Sequence, residues 1–372
     1  MGTGARAHRV RRAQAGIRTA VVIAGAGMAG LSAAARAREL GAAPVVYEKG
    51  TRPGGSMLLS SCVIWRFREW DEFRAECPGG DESLQRVVWE RLDEGLAWLE
   101  SLGAPVVEPD TGNPRTVGKR FDARGLTETL VRVAGDVRLV ENATETPSIL
   151  ATGGFQGDRS LVAEHIHPGG NLRLRANPWS SGDGLRLALG RGAELSAGLD
   201  EFYGRNMPDA PFSENEFVPL AQLYGRYARV YNERGEEFFG GEVSWSENDL
   251  VQATAQQPEA QAWYVLDDLA LEQPVRREKV ADIVARASTR VDPAELPFPA
   301  PRHARVAVRV RPGITHTIGG LRIDEQARVV GAEGLFAAGA DAGGISTGGY
   351  ASGLAAALVF GRIAAESALE GL

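Results

Sequence analysis

Ten residues near the start constrain this chain more than any others: Val21-Val22-Ile23-Ala24-Gly25-Ala26-Gly27-Met28-Ala29-Gly30. A β-branched run meets a G-x-G-x-x-G, an alanine-rich helical pattern follows, and a second apolar run, Pro44-Val45-Val46-Tyr47, ends on Glu48. Strand, tight turn, helix and strand in that order form a βαβ unit suited to a dinucleotide. Gly25 permits the sharp turn and Gly27 admits a pyrophosphate close to the backbone. Gly30 lets the helix pack on the strand, and Met28 and Ala29 open the helix whose N-terminus faces the phosphates. Glu48, roughly 20 residues beyond the glycines, stands where an acid accepts hydrogen bonds from ribose hydroxyls.

The 372 residues suggest two domains, and a net charge of −7 without a long single-sign block argues against a nucleic-acid surface. Cys62 and Cys77 are not in C-x-x-C spacing, so neither a dithiol mechanism nor a zinc ribbon is indicated. Arg6, Arg9, Arg11, Arg12 and Arg18 precede the motif with no acidic residue among them. The only apolar run that follows belongs to the nucleotide motif, so residues 1–18 are expected to be a disordered basic tail, or the product of an over-long gene start, and the protein cytoplasmic. No stretch approaches the ~20 apolar residues of a membrane span.

Lys49 to Ser56 is glycine-rich (Gly50, Gly54, Gly55) and could fold over ribose and pyrophosphate, or be a plain surface loop. Trp65, Phe67, Trp70 and Phe73 could wall a pocket or fill a core. Asp81 to Leu102 reads as an amphipathic helix and Gly103 to Arg120 as a loop. Leu126, Leu130 and Val133 mark a helix, and Val137 to Val140 a strand. Ser148-Ile149-Leu150 then runs into Ala151-Thr152-Gly153-Gly154, a strand end whose glycines allow close backbone approach to a cofactor. Asp183, ahead of Leu185 to Leu189, is either a helix cap or a ligand to a bound hydroxyl. His165 and His167 have no further ligands nearby, so they read as a solvated loop, and no metal site is expected.

Between residues 202 and 309 the texture changes to alternating runs (Tyr227 to Tyr231, Ala262 to Leu266) and short helices (Leu250 to Ala255, Val280 to Ala287). The nucleotide pattern resumes at Leu335-Phe336-Ala337-Ala338-Gly339, followed by Asp341. A helix from about Gly353 to Glu366 offers free N–H groups at Gly353 and Leu354. The expected architecture is α/β. A Rossmann-like domain over residues 19–201 and 310–372 is interrupted by an α+β capping domain over 202–309.

These blocks resemble the flavoprotein family of fumarate reductase and succinate dehydrogenase, which includes 3-ketosteroid and tricarballylate dehydrogenase-like enzymes. The matching stretches are Gly25 to Gly30 with Glu48, Gly54-Gly55-Ser56, Leu150 to Phe155, Gly182-Asp183-Gly184, Thr315-His316-Thr317-Ile318-Gly319-Gly320, and Gly334 to Gly339 onward to Phe360-Gly361-Arg362. The resemblance implies FAD extended across the first domain, with Glu48 at the adenosine ribose and Asp183 on the flavin side. Gly353 and Leu354 would then lie at the pyrimidine edge. No histidine stands near Ser56, so a non-covalent flavin is expected. After Ala337-Ala338-Gly339 the family carries Glu or Asn, where this chain has Ala340 and then Asp341.

The capping domain departs from the family. Its catalytic arginine aligns near Trp245 or Ser246, the glutamate and arginine of its proton path at Ala221 and Tyr224, and a substrate histidine near Arg205. The arginine of the last glycine-rich loop falls in Gly348-Gly349-Tyr350. His316 alone remains from the dicarboxylate site, as a substrate ligand or a hydrogen-bonded turn residue. Arg205, His316, Tyr350 and Tyr224 are therefore the catalytic candidates. The resemblance implies an FAD-dependent oxidoreductase of a CH–CH bond beside a carbonyl or carboxylate, acting on a small molecule, with fumarate reduction itself disfavoured. One dinucleotide fingerprint points to a separate electron carrier. The alternatives are a flavoprotein subunit of an electron-transfer complex and a catalytically silent FAD-binding protein.

Overall fold

The structure, a computed structural model, describes residues 20–143, 146–167 and 169–370, so the basic tail expected over residues 1–18 lies outside the described residues. Five parallel strands form the base sheet in the order Phe336–Ala337, Ile149–Leu150, Ala20–Ala24, Ala43–Glu48, Asp136–Leu139. Ala20–Ala24 is central: Ile23 pairs with Val46 on one side and Ile149 on the other. The chain departs to one neighbour and later returns on the opposite side, which opens a crevice at the carboxyl end of the central strand, where Gly25 sits.

Helix Met28–Glu39 packs against helices Ala123–Ala134 and Gly353–Glu370. Its alanines leave little side chain between backbones. A Cβ on Gly30 would stand 1.9 Å from the Gly25 carbonyl oxygen, and one on Gly361 2.5 Å from that of Ala29. Both glycines are therefore required by close packing.

The second sheet is organised on the 12-residue strand Val306–Thr317. Phe202–Pro208 and Ala262–Leu266 pair with it antiparallel, Arg229–Tyr231 lies beyond the latter, and Arg173–Leu174 pairs with its far end in parallel. Tyr224, Tyr264, Val230, Val308 and Val310 form a core of their own beneath it. The long strand thus leads from the inserted region directly to the base, and its last residues reach the crevice.

Several local expectations are corrected. The stretch 103–120, expected to be a loop, contains Val106–Glu108 and most of Thr116–Phe121, which pairs with Val63–Phe67. Thr116, Gly118 and Phe121 are buried between less buried neighbours, an alternation that the Gly-Pro-Asn run upstream obscures. His165 is not in a solvated loop but ends helix Arg159–His165, with its ring 5.4 Å from that of Phe155. Among the described residues there is no cluster able to hold a metal ion, and no helix is long and apolar enough to cross a membrane.

Candidate active site

A cavity of about 1640 Å³ lies between the base sheet and the inserted region. Pockets for drug-sized ligands run to ~300–1,000 Å³, so this one has room for a dinucleotide and a second molecule. Gly25, Gly27, Met28 and Ala29 form part of its floor. Gly25 has φ +104°, and a Cβ there would stand 2.1 Å from the Ala151 carbonyl oxygen. At Gly27, which precedes the helix, a Cβ would meet nothing within 4 Å, so this backbone is open to the cavity.

The Glu48 carboxylate accepts hydrogen bonds from the Ala26 N–H (2.8 Å) and the Gly50 N–H (2.6 Å), bracing both glycine loops beside the cavity. Lys49, also on the wall, forms an ion pair with Asp183 and donates to the Ser181 hydroxyl at 2.6 Å. Asp183 is the first residue of helix Asp183–Leu189. Gly182, at φ +80°, occupies the cap position, so Asp183 is not the cap.

Gly55, Ser56, Ala151, Thr152, Gly153 and Gly339 continue the wall, which Gly353 and Leu354 close at the start of the last helix. The first N–H groups of a helix have no intrahelical partner and carry a partial positive charge, which suits an electron-rich ring edge. Gly30 and Asp341 stand behind the wall. Asp341 accepts from the Thr152 N–H (2.5 Å), the Thr152 hydroxyl (2.9 Å) and the Gly154 N–H (3.0 Å), so it fastens the Thr-Gly-Gly turn. The open glycine floor, the acid at the second strand and the helix N-terminus fit FAD.

The substrate side is built around an irregularity. Along the pairing of Phe202–Pro208 with Val306–Thr317, Ile314 lies opposite Gly204 and His316 opposite Tyr203, leaving Thr315 as an extra residue. Such bulges redirect side chains, and both Thr315 and His316 line the cavity. Tyr203 and Arg205, two apart, share a strand face. The Tyr203 ring stacks on Tyr350 at 3.6 Å and 11°, lies 5.2 Å from His316, and has the Arg205 guanidinium 5.0 Å from its centre. Trp65 closes the group, 5.9 Å from Tyr350 and 5.1 Å from Trp245.

Arg205, His316 and Tyr350 are therefore brought together. Tyr224 is not: it is wholly buried in the separate core beneath the second sheet and donates to Gln222 at 2.5 Å. His316 Nδ1 lies 3.0 Å from the Thr317 carbonyl oxygen, and its buried Nε2 has no partner among the described residues. Burial lowers its pKa, so the ring is neutral, with Nδ1 donating and Nε2 free to accept. Burial pushes the Tyr350 phenol well above its ordinary value, and Arg205 and Arg175 oppose this only in part.

Sequence reasoning missed Tyr203, Arg175, Glu247 and Arg276, all on the wall. Arg175 donates to the Thr315 hydroxyl (2.9 Å) and the Phe217 carbonyl, and burial lowers its pKa to about 10. Arg205 donates to the Ser246 carbonyl, reaching the place where the family's catalytic arginine aligned. Among the described residues, Arg175, Arg205 and Arg276 form no ion pair with a carboxylate. Glu247, at φ +56°, lies 3.5 Å from Arg226 and accepts from the Gly225 N–H; burial raises its pKa.

A profile for the family described as an FAD binding domain matches residues 20–135 and 129–354. The chain belongs to this FAD binding domain family. The flavoprotein is 24% identical to a probable fumarate reductase of Shewanella frigidimarina over 95% of this chain and 75% of that protein. Its fold matches a flavocytochrome c3 fumarate reductase in an open conformation (TM-score 0.68, 22% identity, 95% of this chain and 78% of the other). It also matches a 3-ketosteroid Δ4-(5α)-dehydrogenase of Rhodococcus jostii (TM-score 0.69, 20% identity, 95% and 98%). The chain is an FAD-dependent oxidoreductase similar to fumarate reductase flavoproteins, as the resemblance implied.

Proposed function

We propose that this flavoprotein adds or removes hydrogen across a carbon–carbon bond next to a carboxylate or a carbonyl. Bound FAD supplies hydride exchange with a substrate carbon. The observation that carries the reading is the meeting of Arg175 and Arg205, neither in an ion pair with a carboxylate among the described residues, with the stacked phenols of Tyr203 and Tyr350 at the cavity, where Glu247 offsets only one of the two charges. Guanidinium groups in excess of the carboxylates around them favour a bound anion, and Arg205 can hold a carboxylate bidentately. The Tyr350 hydroxyl, kept protonated by burial, donates a proton to the carbon next to the one that exchanges hydride and is left as phenolate beside Arg205 and Arg175; in the reverse direction that phenolate is the form that takes the proton. His316 Nε2 accepts a hydrogen bond from substrate or cofactor.

The flavin is held without a covalent bond, and electrons are exchanged with a separate carrier, since the chain carries one dinucleotide fingerprint. Charge discrimination tests the substrate reading. FAD-loaded, dithionite-reduced protein is mixed anaerobically with α,β-unsaturated carboxylates and with their methyl esters. Faster flavin reoxidation by the acids supports it, and equal rates for acid and ester would remove the arginines from substrate binding.

A further inference from the structure

In the inserted region Pro274–Val275 pairs with Glu278–Lys279 as a hairpin, Val275 opposite Glu278, so that Arg276 and Arg277 form its two-residue loop. Arg276 has φ +55°. Hairpin loops give that conformation to Gly, Asn or Asp, and nothing local favours an arginine there. A non-glycine residue held in a disfavoured conformation on a cavity wall points to use of its side chain.

The two arginines serve opposite sides. Arg277 reaches across to the base, where its guanidinium lies 2.9 Å from the Glu108 carboxylate, which Arg120 also engages at 3.0 Å. Arg276 lines the cavity and lies within the electrostatic reach of Arg205, Tyr203 and Tyr350. Three guanidinium groups (Arg175 after one strand, Arg205 on a second, Arg276 on the hairpin) thus border one cavity; Glu247 on the same wall offsets the charge of Arg205, while Arg175 and Arg276 form no ion pair with a carboxylate among the described residues. Like charges in a low-dielectric space repel, and a bound anion relieves that repulsion.

We propose that Arg276 is a specificity-determining residue that binds a substrate carboxylate from the capping side, presented by a strained hairpin that Arg277 pins to Glu108. This rests on the carboxylate reading of the substrate given above. Arg175 and Arg205 come from the sheet and Arg276 from the hairpin, so engagement of the anion by all three depends on where the hairpin is held.

The test uses binding, not turnover. Malonate has no CH–CH bond to dehydrogenate, so its affinity for the oxidised, FAD-loaded protein, measured by calorimetry, reports the anion site alone. Arg276→Gly is expected to weaken malonate by at least about tenfold, the loss of one charge-assisted contact, while the melting temperature holds or rises because glycine is at ease at that φ. Glu108→Gln is expected to weaken malonate less, and to have no further effect when combined with Arg276→Gly. Unchanged malonate affinity in Arg276→Gly, or failure of the wild type to bind malonate, overturns the proposal. A loss of affinity accompanied by a lowered melting temperature also overturns it, since the residue would then be structural. Arg276-dependent malonate binding in a protein whose flavin reacts with no carboxylate would leave this assignment standing and remove the hydrogen-transfer reading instead.

Discussion

The rings of Tyr203 and Tyr350 lie face to face, 3.6 Å apart and 11° from parallel, although 147 residues separate them in the chain. Tyr203 arrives on a strand of the inserted region and Tyr350 from the loop before the last helix, so the pair joins the two parts of the chain at the cavity.

If the Tyr350 hydroxyl moves the proton, Tyr350→Phe keeps the stack and removes the chemistry. Turnover should fall by ~10²–10⁴-fold, the usual share of a positioned acid or base, with little change in substrate affinity. Tyr203→Phe should fall much less. Because burial raises the Tyr350 pKa, the phenol stays protonated as pH rises through neutrality, so in the direction of reduction, where it donates, it should add no decline in kcat between about pH 6 and 9. Steady-state kinetics across pH checks both points.

If Arg205 holds a substrate carboxylate, as proposed, Arg205→Ala should raise KM for an acidic substrate by the ~1.5–3 kcal/mol of a hydrogen bond to a charged group, roughly tenfold to more than a hundredfold. Lysine restores charge but not the planar fork, and Arg205→Lys should recover only part of the loss. Comparing KM for acid and ester substrates separates this from a general disturbance.

Gly27 and Gly30 separate cofactor from fold. A methyl group on Gly27 enters open space, so Gly27→Ala should fold with nearly unchanged melting temperature as apoprotein yet retain FAD poorly. A methyl group on Gly30 meets the Gly25 carbonyl oxygen at 1.9 Å, so Gly30→Ala should lower the melting temperature or abolish soluble expression. Flavin content and thermal melts of the two variants check the distinction.

Glu247 supplies a pH signature. Its folded pKa is raised, so the folded state holds this proton more tightly than the unfolded chain. The cost is absent below the unfolded carboxylate value of about 4.3, grows as pH climbs through the folded value, and is full above it. Relative to wild type, Glu247→Gln should therefore gain melting temperature from pH 4 to pH 8. Thermal melts at matched ionic strength check the slope.

The cofactor half was legible because its signals are local: Gly25, Gly27 and Gly30 lie within six residues, and Glu48 follows one helix later. The substrate half was not, because it depends on register. Tyr203 and Arg175 reach the cavity only through their pairing with a strand whose bulge falls at Thr315. Arg276 sits in a hairpin of two-residue strands too short to leave a periodic trace, though two arginines where a glycine belongs was the available signal. Tyr224 shows the converse: a reactive residue type aligned with a family position, yet placed wholly inside the core beneath the second sheet.

The central claim is hydrogen exchange between bound FAD and a carbon–carbon bond beside a carboxylate or carbonyl. The most direct measurement is the absorbance spectrum of purified protein under anaerobic conditions, oxidised and dithionite-reduced, during addition of saturated and unsaturated carboxylates and enones. The account predicts a flavin spectrum that one class selectively bleaches or reoxidises, with acids ahead of their esters. A flavin unmoved by the whole panel would contradict the proposed reaction, and protein that takes up no FAD would contradict the reading of Gly25 to Glu48.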